Sequence, residues 1–226
     1  MTTLREIQPK WIQKFYEIRQ EFGDSPPLAA PFLSVSDPRD EPTGIGPILM
    51  IGKATAGDWG LDPFLLNEGQ SFERQADERR AATLKHLSYR RNHQTSAFWR
   101  FWKTLHEIGS PVVWTNLVKI GVKHGNPGRK YIKAQSCLAC ATLRAEVDEY
   151  KPSLIVIAAD YAKEQITYPV FGDRPNWKEP PGYEFCWIER SASSPAILWT
   201  DHPQMKGKVA LSSWMKKARE LTAQAN

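Results

Sequence analysis

The residues best suited to chemistry fall where apolar runs stop. Ala196–Trp199 is a short apolar run that ends at Thr200-Asp201-His202-Pro203. Pro203 has no N–H to give a strand ladder, so His202 sits where a strand ends and a loop begins. In open α/β sheets that edge is where ligands bind. An imidazole there can donate a hydrogen bond to developing negative charge; the competing assignment is a structural histidine. Met205, Lys206 and Lys208 follow at once, a flexible apolar tip beside two cations. Asn116 interrupts a second apolar run, Pro111–Lys119, near its end. Its amide donates and accepts together, as reading a base edge requires, although an Asn there also serves to satisfy loop backbone. A third run, Ile48–Gly52, leads into Lys53-Ala54-Thr55-Ala56-Gly57-Asp58-Trp59-Gly60, whose small residues let backbone approach a ligand. It matches neither a P-loop nor a GxGxxG turn. Cys137-x-x-Cys140 lacks a second pair or nearby His pair and reads as part of a helix, so the two are assigned as small buried thiols rather than metal ligands.

Charge is unevenly placed. The chain of 226 residues has a net charge of +5, yet residues 71–133 hold thirteen Lys/Arg against four Asp/Glu. Arg79, Arg80, Lys85, Arg90 and Arg91 supply much of that excess. A basic middle on an acidic body suggests a face for a polyanion; the alternative is an ordinary solvated charged face. No apolar run reaches the ~18 residues of a membrane span, and the N-terminus lacks the apolar stretch of a signal peptide. Three cysteines, an odd and low number, fit a reduced cytoplasmic setting. A monomer is expected.

These residues need a sheet to position them. Gln8–Phe22 has helical spacing in Trp11, Ile12, Phe15, Ile18 and Phe22. Residues 25–47, with six Pro and two Gly, read as an ordered surface loop or arm. Core strands are expected at Ile48–Gly52, Pro111–Lys119, Ser153–Ala159 and Ala196–Trp199, with Tyr183–Arg190 as an additional edge strand. Helices are expected in part of Glu73–Arg91, through Phe98–Ile108, over Tyr131–Tyr150, in Asp160–Tyr168 and over Val209–Leu221. The aromatic cluster Phe98, Trp99, Phe101 and Trp102 lies at helical spacing and reads as core rather than as a stacking platform. Strands alternating with helices imply an α/β fold. We expect a three-layer αβα sandwich around a mainly parallel four-stranded sheet. One domain spans 1–226, with a helix and Pro-rich arm over 1–47 and the core over 48–226.

With that layout in place, the short motifs resemble the uracil-DNA glycosylase superfamily over roughly Ile48 to Lys217. Gly52–Gly57 resembles its first motif. Gly69-Gln70-Ser71-Phe72 is similar to the stretch whose Phe stacks on the extruded base. Thr115-Asn116-Leu117-Val118-Lys119, with the glycine- and proline-containing loop ending in Arg129, resembles the iron–sulfur bacterial branch, as does Leu143–Ala158. His202-Pro203 stands where the family has His-Pro-Ser. Two positions depart from the pattern. Ala54 stands where many members carry an acid or amide, and Ile120 stands where the iron–sulfur branch has a ligand Cys. No cluster, metal or other cofactor is therefore expected.

The resemblance implies chemistry on a base flipped out of DNA. His202 would donate to the departing base, Asn116 would read its edge and Phe72 would stack on it, with Lys53 and Ala54 on the substrate side. Lys119, Arg129, Lys206 and Lys208 would hold phosphates. From residue type we add Met205 as a wedge in the vacated stack, Asp58 as a carboxylate facing the sugar cation, and Thr55 as a water holder. Three readings stay open: a glycosylase for a deaminated or modified base, in repair or in defence against foreign DNA; a DNA-binding module without catalysis; and an unrelated α/β hydrolase or nucleotide-binding protein.

Overall fold

In the computed structural model, residues 3–23, 25–36, 40–41, 43–44, 46–56, 69–92, 96–173, 178, 185–189, 191, 194–203 and 208–223 are described. The elements follow as α1 (Leu4–Phe22), β1 (Thr43–Gly44), β2 (Ile48–Ala56), α2 (Phe72–Asn92), α3 (Ala97–His106), β3 (Gly109–Ser110), β4 (Val112–Val122), α4 (Arg129–Tyr150) and β5 (Leu154–Ala158). A π-helical turn (Lys163–Thr167), α5 (Tyr168–Phe171), β6 (Phe185–Ile188), β7 (Ala196–Thr200) and α6 (Lys208–Ala223) complete the chain.

The first helix starts earlier than its apolar spacing indicates. Thr3 accepts from the Glu6 N–H at 3.4 Å while its own N–H donates to the Glu6 carboxylate at 2.8 Å. This capping box satisfies two amide donors at the helix start and outweighs Pro9, which lies inside the helix and forgoes one backbone bond.

The sheet has the order β4-β2-β5-β7-β6. The first four strands are parallel, and β6 runs antiparallel to β7. The α/β class and the mainly parallel sheet are as expected, but the sheet has five strands, not four. Only residues 189–195 separate β6 from β7. A parallel crossover needs a dozen or more residues, so β6 turns back beside β7. The second strand also outruns its apolar stretch. Lys53, Ala54, Thr55 and Ala56, expected in a loop, stay in β2 because the long β4 offers partners: Gly52 faces Asn116, Ala54 faces Val118 and Ala56 faces Val122. An irregularity falls between Ala54 and Ala56.

The Pro-rich arm seals the outer edge of β4. Ala29 donates to the Gly121 carbonyl at 3.0 Å, Phe32 to that of Lys119 at 2.8 Å, and Val35 and Trp114 exchange bonds of 3.2 and 2.9 Å. An open edge strand invites pairing with other chains, and the arm removes that edge while burying Leu28, Phe32, Leu33 and Val35.

Strand side chains alternate between two apolar clusters. Leu49, Ile51, Val113, Ile155, Ile157 and Trp199 pack with residues of α1 and α4. Ile48, Met50, Val112, Trp114, Leu154, Val156 and Leu198 pack with residues of α3 and α6. Each such side chain contributes about 1.5–3 kcal/mol when fully buried. Helix α2 gives Ala76 to the first cluster and Leu87 to the second. Among the described residues no helix is long and apolar enough to cross a membrane.

The strand order creates a switch point. From β2 the chain passes to β4 on one side and returns to β5 on the other. Connections that leave in opposite directions open a crevice at the carboxyl ends of β2 and β5.

Candidate functional site

Asn116 lies within β4, directly across from Gly52 in β2. Its side chain is 2% exposed, and its Nδ2 has no hydrogen-bond partner among the described residues. Leaving a buried amide donor unpaired costs about 1–3 kcal/mol, so such a group calls for a partner beyond the described residues. Gly52 makes room for it. A Cβ at position 52 would stand 2.5 Å from Asn116 Oδ1, and 3.5 Å from both Phe98 Cε2 and Trp114 Nε1. Glycine is thus required by a close approach of side chains.

His202 follows β7, half-buried. Its ring lies nearly parallel to that of Phe98, with centroids 6.0 Å apart and planes 15° apart. Burial holds its pKa below the usual histidine value, and the nearby Lys53 cation adds to the shift. The imidazole is therefore held toward its neutral form, with one N–H to donate.

Lys53, beside Gly52, turns toward the end of β5. Its Nζ lies 4.8 Å from the centre of the Tyr161 ring. Burial lowers the lysine pKa, and Asp160 opposes that shift. Asp160 is itself ion-paired with Lys163. The Tyr161 hydroxyl donates to the Pro127 carbonyl, and burial pushes its pKa up to about 12. Tyr161 is thus a fixed neutral wall, not a base.

Sequence reasoning missed Phe98. The spacing of residues 98–108 marks core, and Trp99, Phe101, Trp102 and Leu105 are indeed buried. Phe98 differs because Ser96 caps the helix, accepting from the Trp99 N–H at 3.4 Å. The ring therefore sits in the first turn, half-buried, with centroids 5.8 Å from Trp114 and 5.3 Å from Trp99. His86 of α2 reaches the same cluster, 6.1 Å from Trp114. The serine cap was the available signal: α3 returns directly into β3 and β4, so its first turn lies toward the strands' carboxyl ends.

Several expected contacts fall elsewhere. Phe72, expected to stack on a base, opens α2 and is 40% exposed, with its ring 6.2 Å from that of Tyr16 on α1. Lys119, expected to hold phosphate, is fully buried and ion-paired with Glu146 at 2.7 Å. It also donates to Thr115 Oγ1, which in turn donates to Glu146 at 2.9 Å. The aliphatic stem and one fixed carboxylate make that burial tolerable, and the ammonium has no route to DNA. Arg79, expected on the basic face, is likewise buried, with Nε donating to the Pro31 carbonyl at 2.7 Å. It secures α2 to the arm.

Arg129 is exposed at the start of α4. Ala54 packs against the core on the α1 and α4 side, and Ile120 is buried there. Thr55 and Lys208 lie in β2 and α6, but their side chains fall outside the described set, as do Asp58, Met205 and Lys206 altogether. Among the described residues no group of three His, Cys, Asp or Glu side chains is placed to hold a metal ion. The structure thus brings together Gly52, Lys53, Phe98, Asn116 and His202 from three elements, β2, α3 and β4, and the loop after β7. No family model matches the chain, and comparison with curated proteins finds no match.

Proposed function

We propose that the protein is a DNA glycosylase that receives a base flipped from DNA and hydrolyses its N-glycosidic bond. The observation that carries this reading is the buried Asn116 carboxamide, its Nδ2 without a partner among the described residues, on the same Gly52 position as the Phe98 ring that stacks with His202. An amide, an aromatic face and a neutral imidazole suit a planar heterocycle whose edge both donates and accepts. As the bond breaks, the base takes up negative charge. A neutral His202 would donate its N–H to that charge, and the Lys53 cation nearby would favour it. One donor aimed at developing charge is worth about 3–4 kcal/mol.

The sugar becomes cation-like and needs a carboxylate or held water on its other side. Asp58 remains our assignment for it. We assign the protein a deaminated or modified base. Arg129, Lys206 and Lys208 are the cations we assign to phosphates, with Met205 as the wedge. We assign a three-layer αβα arrangement and a cytoplasmic monomer working without a cofactor.

One observation favours a second reading, a DNA-binding protein without catalysis. Ala54 carries no acid and packs toward the core. The test for both is an abasic-site assay on oligonucleotides holding uracil, hypoxanthine, xanthine, or hydroxymethylated or glucosylated cytosine, scored by alkaline cleavage. Cleavage of one substrate that Asn116→Ala and His202→Ala both lose supports the glycosylase. Salt-sensitive binding without cleavage of any substrate supports the second reading.

A further inference from the structure

We infer that Lys53 gives this site a second activity, strand cleavage at abasic DNA through a Schiff base on its own amine. The inference rests on the glycosylase reading for the presence of DNA at this sheet edge. Lys53 sits at the switch point, next to the Gly52 that stands against the Asn116 amide, with the β5 end on one side and His202 near it. Among the described residues its ammonium makes no ion pair or hydrogen bond. It rests instead on the face of Tyr161, whose hydroxyl is committed to Pro127. Asp160, the carboxylate acting on Lys53, is occupied by Lys163.

A lysine meant only to hold phosphate needs its charge and is best left in water. This one is partly withdrawn from water and, among the described residues, has no carboxylate at ion-pair distance; its burial works toward the free amine against the pull of Asp160 and the Tyr161 face. Desolvated lysines next to another cationic or polar centre are the ones that serve as nucleophiles on carbonyl carbon. Lowering of the Lys53 pKa by burial agrees with this geometry.

The product of base excision supplies the carbonyl. An abasic sugar opens to an aldehyde at C1′. The lysine amine attacks C1′, forming the N–C bond as the C–O π pair moves to oxygen, which takes up the proton that nitrogen releases. A second proton, from solvent, lets that oxygen leave as water as the nitrogen lone pair forms the iminium. Neutral His202 then accepts a proton from C2′; the electron pair forms the C2′–C3′ double bond as the C3′–O bond breaks and the phosphate leaves. Water returns to hydrolyse the iminium and frees Lys53. No electrons are gained or lost overall.

The experiment uses the full chain and a labelled duplex with one preformed natural abasic site, in the presence of sodium borohydride. A duplex with a tetrahydrofuran analogue, which has no aldehyde, runs beside it. We expect a covalent adduct on the natural site and none on the analogue, with mass spectrometry of the digested wild-type adduct placing the DNA on Lys53. Lys53→Arg keeps the cation but not the nucleophile, and at duplex concentrations that saturate each protein, as read by binding of the analogue, its trapping is expected to fall about 100-fold or more. An adduct on any other amine, undiminished trapping by Lys53→Arg, or no adduct with a duplex that binds would each overturn the inference. Base excision revealed only by alkali, with no trapped adduct, removes the lyase and leaves the glycosylase standing. Trapping on the preformed site without excision of any base does the reverse.

Discussion

The imidazole of His202 and the ring of Phe98 lie 15° from parallel with centroids 6.0 Å apart, although they are separated by more than a hundred residues of chain. Through Phe98 the histidine is tied to the point above Gly52 where the Asn116 amide also stands. One aromatic ring thus holds together groups from the β7 loop, β2 and β4.

On the proposed reading, the aromatic that faces the base is therefore Phe98, not Phe72. Phe98→Leu is expected to lower single-turnover excision about tenfold, in line with the loss of one base-stacking or positioning ring. Phe72→Leu is expected to leave the rate unchanged, because its ring packs on Tyr16. The reverse order of effects, measured on the same oligonucleotide, would contradict this assignment.

Gly52→Ala places a methyl 2.5 Å from Asn116 Oδ1. The amide must move, and a displacement of about 1 Å in a positioning group costs about 100-fold in rate. We expect Gly52→Ala to approach Asn116→Ala in activity, and to lose about 1–3 kcal/mol of stability by overpacking. Excision kinetics and urea melts of both variants check this.

Lys119 and Glu146 form a fully buried pair at 2.7 Å, and burial drives the lysine pKa down against the pull of Glu146. Glu146→Gln leaves the cation unpaired and is expected to cost about 3–5 kcal/mol. Lys119→Met with Glu146→Leu removes both charges and should recover much of that loss. DNA affinity of the double variant, if folded, should match wild type, which a phosphate-binding Lys119 would not allow. Chemical denaturation and a binding titration are the two readouts.

His202 should titrate below the ordinary histidine value of about 6.5. Its shift comes first from burial and then from Lys53. Lys53→Met removes the like charge but not the burial, so the pKa should rise and still stay below the ordinary value. Because the folded pKa is depressed, the unfolded chain binds the proton more readily. Wild type should then lose stability relative to His202→Asn as pH falls through the ordinary value toward the folded one, while above it the gap between the two stays constant with pH. Imidazole NMR titration and pH-dependent melts test the two halves.

The apolar runs at Ile48, Val112, Leu154 and Ala196, with helical spacing between them, determine the α/β class and the parallel core. Strand and helix periods follow from local covalent geometry, and burial on both faces demands continuous apolar strands. The same runs placed His202 just past a strand's carboxyl end, because the residues that interrupt a run are visible in the run itself, whereas Asn116, read near a strand end, lies inside β4, which runs on to Val122. What the tertiary structure alone decided is which side chains meet. Lys119 and Arg79 look like surface cations until Glu146 and the Pro31 carbonyl arrive from distant parts of the chain to receive them. Phe98 looks like core until its helix start is brought over Gly52. The edge strand was legible in Tyr183–Arg190, but its place in the main sheet, antiparallel to β7, was set only when the chain turned back beside that strand. Local propensity is a property of neighbours in sequence, whereas burial of charge, close approach at a glycine and the composition of a pocket are properties of neighbours in space, and those are set only when the sheet is assembled.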